Sequence, residues 1–144
     1  MVTPLAAAQA PRRLIGRGRF GRCYALDAGR DATTPPVALK VMIRRRLSTR
    51  DLERVRNEIE VHRAVGSGGL AHPNVCRFIE TVQTPKMLAL VLELCDSSLE
   101  GRLRAVPDAS LPLAEAKRIA ADVASALRHV HSFNVLHRDV KPHN

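Results

Sequence analysis

His137-Arg138-Asp139-Val140-Lys141-Pro142-His143-Asn144 is the stretch on which the fold turns. It follows a long helical pattern, about Leu113 to Ser132, and a strand-like Asn134-Val135-Leu136. Asp139, Lys141 and Asn144 share one short loop. An Asp orients or accepts the proton of a hydroxyl, and a Lys two positions on offsets the charge of a transferring phosphoryl group. An Asn ligates Mg²⁺ through its amide oxygen. A chance polar loop is the alternative, and the residues upstream argue against it.

Gly16-Arg17-Gly18-Arg19-Phe20-Gly21 is a GxGxxG. By itself it is compatible with a plain glycine turn. A dinucleotide fold needs the third glycine to open a helix. Here Arg22-Cys23-Tyr24-Ala25-Leu26 continues as strand, which places the glycines in a hairpin where backbone N–H groups can approach phosphate oxygens. Asp27 to Pro36 reads as a turn-rich connection. Val37 to Ile43 is an apolar strand with Lys40 at its centre. On a strand neighbouring the glycine hairpin, that lysine reaches the same phosphates and needs a carboxylate to fix it.

The helix expected over Ser48–Val65 supplies candidates, and the glycines from Gly66 to Gly69 end it. Ser48 with Asp51 makes a start like a capping box, and Leu52, Val55, Ile59 and Val65 mark its apolar face. Glu58 lies three residues after Val55 and four before His62, at the edge of that face. Glu60 is turned about 200° away and Glu53 is off the stripe as well. Glu58 is therefore the carboxylate expected to point at the sheet. Further strands are expected over Val75–Thr81 and Met87–Leu94, and a short helix marked by Leu99, Leu103 and Val106. Strands with one helix first, then helices, argue for an α+β fold.

The remaining composition narrows the class. The chain has 144 residues, one domain's worth, with 45% hydrophobic and 26% charged residues, which disfavours disorder. The net charge is +9, yet arginine supplies it far more than lysine, and the arginines are scattered apart from Arg44-Arg45-Arg46. With one tyrosine, three phenylalanines and no tryptophan, stacking platforms for bases are lacking, so no nucleic-acid partner is expected. No membrane is expected either, since no apolar run reaches the roughly 18 residues of a spanning helix. The three cysteines fit neither a zinc site nor a disulfide framework. A reducing, intracellular location, cytoplasmic or nuclear, is the expectation.

Taken in order and spacing, these motifs resemble the protein kinase family, from about residue 12 to the last. The resemblance implies a protein-kinase-like α+β fold, with a β-rich small lobe, its helix C and the first large-lobe helices, incomplete at the end. The implied division is a disordered lead at 1–11, small lobe and hinge at 12–95, and the start of the large lobe at 96–144. The implied nucleotide site comprises Ile15, Gly16, Gly18, Phe20, Gly21, Cys23, Ala38, Lys40, Leu92, Glu93 and Cys95. Leu92 looks like the gatekeeper and Glu93-Leu94-Cys95 the hinge. Lys40 with Glu58 looks like the phosphate-binding lysine and its helix-C partner, Asp139 the catalytic base, and Asn144 a metal ligand. His72-Pro73-Asn74 is similar to the family's turn after helix C.

ATP and Mg²⁺ are the implied cofactors. The implied reaction is transfer of the γ-phosphoryl group to protein Ser or Thr hydroxyls, because Lys141 two residues after Asp139 is similar to the serine/threonine pattern. Departures are Cys23 where Val is usual, His62 where an apolar spine residue is usual, and Asp96-Ser97-Ser98 in place of a glycine pair. No DFG motif follows Asn144, so a fragment is expected, without detectable activity by itself. The rival reading is a catalytically dead remnant that binds only nucleotide or a partner. Ile119, Val123, Leu127 and Val130 are expected to find little to pack against.

Overall fold

The pleat of one strand explains most of the first half of the molecule. In a computed structural model, residues 12–27, 35–66 and 71–143 are described. β3 (Val37–Ile43) alternates its side chains between two faces of a sheet. Leu39 and Val41 join Leu26, Val82, Ala89 and Val91 on one face. Met42 lies on the other, packed with Val55 and Ile59 of α1 (Thr49–Gly66) and with Phe78, Leu88 and Leu90. Ala38 and Lys40 share the Met42 face by the same alternation.

Around β3 the sheet is antiparallel throughout, in the order β1-β2-β3-β5-β4, with β1 at Arg12–Arg17, β2 at Arg22–Leu26, β4 at Phe78–Gln83 and β5 at Met87–Glu93. Directly opposed residues of antiparallel strands share a face. Gly16, Cys23, Lys40, Leu90 and Thr81 therefore form one row across all five strands, and Ala25, Ala38, Leu92 and Phe78 the next. β1 carries an irregularity between Leu14 and Gly16, so Ile15 has no strand partner. A 3₁₀ turn, Arg44–Arg46, leads from β3 towards α1. The helix start is capped by Ser48 and Asp51: the Asp51 N–H donates to Ser48 Oγ (3.2 Å), and the Ser48 hydroxyl donates to Asp51 Oδ2 (2.7 Å).

Beyond the sheet, α2 (Leu99–Arg104) is capped by Ser98, whose Oγ accepts from the Gly101 N–H at 3.1 Å. α3 runs from Leu113 to Ser132, as its periodicity predicts. The chain divides into two compact units, Met1–Arg63 with Arg77–Leu94, and Ala64–Cys76 with Cys95–Asn144. No helix among the described residues is long and apolar enough to cross a membrane, and none of the cysteines forms a disulfide.

Some expected boundaries move. The strand expected from Val75 begins at Phe78, because a turn engages the preceding residues and the Val75 N–H donates to the His72 carbonyl (3.0 Å). Asn134-Val135-Leu136 is not a strand. Asn134 adopts φ 58°, and the Phe133, Asn134 and Val135 N–H groups fold back onto Val130 and His131 carbonyls, closing α3. The short helix stops before Val106, just ahead of Pro107. Along α3, Val130 is buried, Ile119 and Leu127 are half-buried, and Val123 is exposed, so the expected lack of packing applies to Val123 more than to Val130. Residues 1–11, most of the Asp27–Pro36 connection and residues 67–69 of the expected helix stop lie outside the described residues.

Gly21 is the most tightly enclosed of the described glycines. A Cβ there would meet the Val41 carbonyl oxygen at 2.1 Å, whereas one at Gly16 would meet Cys23 Cβ at an ordinary 3.8 Å. Gly21→Ala should therefore cost about 1–3 kcal/mol by forcing β2 away from β3. Gly16→Ala should be much milder. Thermal unfolding of the two variants checks this, and equal losses of Tm would refute it.

Candidate functional site

In the first unit, the site is built on the sheet face that carries Lys40. A lone ammonium in an apolar strand must be paired or remain in water. The Lys40 Nζ donates to Glu58 Oε1 across to α1, and the two side chains keep 22% and 26% of their exposure. Both expectations for this pair are met: Glu58 points at the sheet, while Glu53 and Glu60 are exposed. His62, one turn further along α1, places Nε2 4.0 Å from the same Glu58 oxygen. The His62 side chain is thus at the charged edge of the helix rather than in an apolar column.

Next to the pair lies Cys23, directly opposite Lys40 in the ladder. Burial pushes its thiol pKa up; nearby Lys40 lowers it in part and Glu58 raises it further. The thiol therefore stays protonated near neutrality and acts as a small apolar wall. Ala38 and Leu92 sit in the neighbouring row and face each other across β3 and β5. The glycine hairpin is closed by the Gly18 N–H donating to the Gly21 carbonyl at 2.9 Å. A Cβ at Gly18 would have only the Gly21 carbonyl oxygen within reach, at 3.9 Å, so the backbone there is open to an approaching group. Phe20 turns inward, half-buried against the Met42 cluster, and Ile15 is 42% exposed. Glu93 ends β5, its N–H donating to the Arg77 carbonyl at 3.0 Å.

In the second unit the loop 137–143 has no regular structure and is held by specific bonds. Arg138 adopts φ 63°. The Asp139 N–H donates to His137 Nδ1 at 3.3 Å. Lys141 Nζ donates to both Asp139 carboxylate oxygens, at 3.0 and 2.9 Å. α2 anchors the end of the loop: the Glu100 N–H donates to the Pro142 carbonyl (2.8 Å), and the Glu100 carboxylate bonds His143 and accepts from Arg104 (2.7 Å). Cys95, in this unit, is exposed. Asn144 lies outside the described residues.

The turn His72-Pro73-Asn74 is docked on α3. Asn74 Nδ2 donates to the Asp122 carbonyl and to its carboxylate, at 3.1 and 3.2 Å. His72 Nδ1 accepts from the Asn74 N–H (3.1 Å), and its Nε2 bonds the Ser125 hydroxyl (3.2 Å). His72 also stacks on His129 with ring centroids 4.9 Å apart. Sequence reasoning missed Glu100, His143, Asp122, Ser125 and His129 as supports. The two histidines in the last turn of α3 and the acidic residue opening α2 are the only local signals for them.

The resemblance to protein kinases meets independent support. The protein kinase domain family model matches residues 10–144. Serine/threonine-protein kinase 36 of Pongo abelii is 35% identical over 131 residues, 91% of this chain and 9% of that protein. Serine/threonine-protein kinase fused of Drosophila melanogaster is 32% identical over 131 residues, 91% of this chain and 15% of that protein. CBL-interacting protein kinase 4 of Oryza sativa subsp. japonica is 35% identical over 136 residues, 92% of this chain and 28% of that protein. The chain spans less than a third of the length of each of these relatives. It belongs to the protein kinase family, and its fold is the α+β fold of that family: the five-stranded sheet with α1, and the helices that follow.

The Glu100 carboxyl is held below the ordinary glutamate range, first by its hydrogen bond to His143 and then by the charge of Arg104. A lowered folded value means that this contribution to the folded loop is present above the ordinary range and lost as pH falls through the folded value. Carbon-13 NMR of the carboxyl should show the depressed titration. His143→Gln should move it back up, and an unchanged midpoint would refute the bond.

Proposed function

We propose that this chain is the nucleotide-binding and catalytic-loop part of an ATP-dependent protein kinase acting on serine or threonine hydroxyls. The observation that carries the reading is the Lys40–Glu58 pair, set on the sheet face that also holds Cys23, Ala38 and Leu92. An amine fixed by a carboxylate at the inner end of an open glycine hairpin suits a polyphosphate. The serine/threonine reading is supported by Lys141 two residues after Asp139 and by the names of the relatives.

The residues fit a nucleotide. Backbone at Gly18 is open, as a ligand approached by main-chain N–H groups requires. Ala38 is a small side chain and Leu92 an apolar one, in keeping with a flat heterocycle as neighbour. Ile15 and Cys23 add apolar surface, and the Glu93 and Cys95 backbones are the proposed adenine contacts. Bound ATP supplies the phosphoryl group, with Mg²⁺ as its counter-charge. Lys40 holds phosphate oxygens and Glu58 keeps the Lys40 ammonium in place. The carboxylate of Asp139 orients the acceptor hydroxyl and takes its proton, while Lys141 neutralises charge beside it. Asn144 is the proposed metal ligand.

Titration with ATP followed by phosphoryl transfer tests the proposal. In the 144-residue chain, Lys40→Met should weaken ATP binding by about 10-fold or more, the worth of one charge-assisted contact. In the protein that carries this chain, Asp139→Asn should lower radiolabel transfer to serine peptides by about 10²–10⁴-fold while leaving ATP affinity nearly unchanged. ATP binding without any transfer by that protein would favour the non-catalytic binding module. Absence of ATP binding would overturn the nucleotide site itself.

A further inference from the structure

Spacing alone points to no pairing among Cys23, Cys76 and Cys95, yet the fold brings two of them together. The Cys76 and Cys95 sulfurs lie within 4.8 Å of each other, and both residues belong to the second unit. Antiparallel pairing is the cause. β4 runs against β5 with Phe78 opposite Leu92, and the Glu93 N–H donates to the Arg77 carbonyl at 3.0 Å. Cys76 immediately precedes Arg77 and Cys95 lies two residues beyond Glu93, so the paired strands deliver both cysteines to one end of the hairpin. Strands so paired run about 5 Å apart, and a disulfide accepts Cα separations of about 4.4–6.8 Å. Rotation of a cysteine side chain between staggered wells moves its sulfur by roughly 3 Å, enough to close the remaining gap.

The two thiols differ in access. Cys95 is exposed, whereas Cys76 is half-buried. An exposed thiol meets a small oxidant first, and a second thiol beside it resolves the product. Two sulfurs in one unit are half of the four ligands of a structural zinc site, but they are all that a disulfide requires. Cys23 stands apart, on the Lys40 face of the first unit, with its thiol pKa pushed up by burial.

We infer that Cys76 and Cys95 form a reversible dithiol–disulfide pair, oxidised by exchange with a low-molecular-mass disulfide. The Cys95 thiolate attacks one sulfur of the oxidant. The oxidant S–S bond breaks, a mixed disulfide forms on Cys95, and one small thiolate leaves. The Cys76 thiolate then attacks the Cys95 sulfur, and the second small thiolate leaves as the Cys76–Cys95 bond forms. The protons released by the two protein thiols go to the two leaving thiolates. In sum, two protein thiols are oxidised to one disulfide, and one oxidant disulfide is reduced to two thiols. The bond closes the open end of the β4–β5 hairpin into a covalent loop. A bond that forms and is released again suits a redox-sensing role in a reducing compartment. This inference depends neither on nucleotide binding nor on phosphoryl transfer.

The test incubates the purified, fully reduced protein with oxidised glutathione, blocks the remaining thiols with iodoacetamide and maps tryptic peptides by mass spectrometry. Segments 64–77 and 87–102 should appear joined, with the mass of two hydrogens lost, and a reducing agent should separate them. Cys76→Ser should abolish the link and let the glutathione adduct on Cys95 accumulate about tenfold or more, because the intramolecular thiol that clears it is gone. Cys95→Ser, a change at an exposed position, should abolish the link as well. An adduct on Cys95 that is equally abundant with and without Cys76 would reduce Cys95 to an isolated reactive thiol and overturn the inference. A link from either cysteine to Cys23, or one found only between two molecules, would overturn it too.

Discussion

A cationic amine at the centre of an apolar strand is costly to bury, and the first unit is organised so that Lys40 has one carboxylate to meet. The pair keeps about a quarter of its side-chain exposure, so solvent screens it and its value lies more in geometry than in stability. Two independent periodicities must agree for it to form. The pleat of β3 puts Lys40 on the Met42 face, and the rotation of α1 puts Glu58 beside Val55 and Ile59. Turning α1 by one residue, about 100°, would withdraw Glu58 and lift Val55 and Ile59 out of the core together. Core packing and charge pairing thus select the same helix phase.

The second unit solves a different problem, since residues 137–143 have no ladder or helix to hold them. The left-handed backbone at Arg138 is uncommon for a residue with a side chain and costs on the order of 1 kcal/mol or more. It persists because groups on both sides are tied down: Asp139 to His137 and Lys141, and Pro142 and His143 to Glu100 at the start of α2. A six-residue helix is marginal by itself. Here the Ser98 cap and the loop contacts stabilise it, so α2 and the loop support each other. The His72 turn plays a comparable part on α3 through Asn74–Asp122 and the stacked His72 and His129 rings.

What was legible in the sequence follows from range. Short-range patterns fixed β3, α1 and α3 nearly to the residue, because their periodicity and the Ser48–Asp51 cap are local. The Glu58 choice was legible too, since helical phase is arithmetic. The Val75 start of a strand was not, because a Pro73 turn captured the Val75 N–H that a ladder would have needed. Asn134–Leu136 misled for a related reason: β-branched Val135 suits a strand, yet the end of α3 took its N–H first. Glu100 was invisible because its partners, His143 and Pro142, lie more than forty positions away in sequence, and only the fold brings them together. For the same reason nothing local marked Phe20 as a residue that turns into the core.

Charge in this chain divides by whether the fold satisfies it. The excess of basic residues, mostly arginine, looks uniform when read as composition. In the structure part of it is paired with carboxylates, as at Lys40, Arg104, Arg118 and Lys141. The paired ones are spread over β3, the helices and the loop 137–143, where a neighbour a few residues away, or one brought by the fold, supplies the counter-charge. At the hairpin tip the register sets Arg17 directly opposite Arg22, while the Asp51 carboxyl is held below its ordinary range first by its hydrogen bond to Ser48 and also by the charge of Arg19. Composition counts the arginines, whereas only the register accounts for Arg17 and Arg22 standing directly opposite each other.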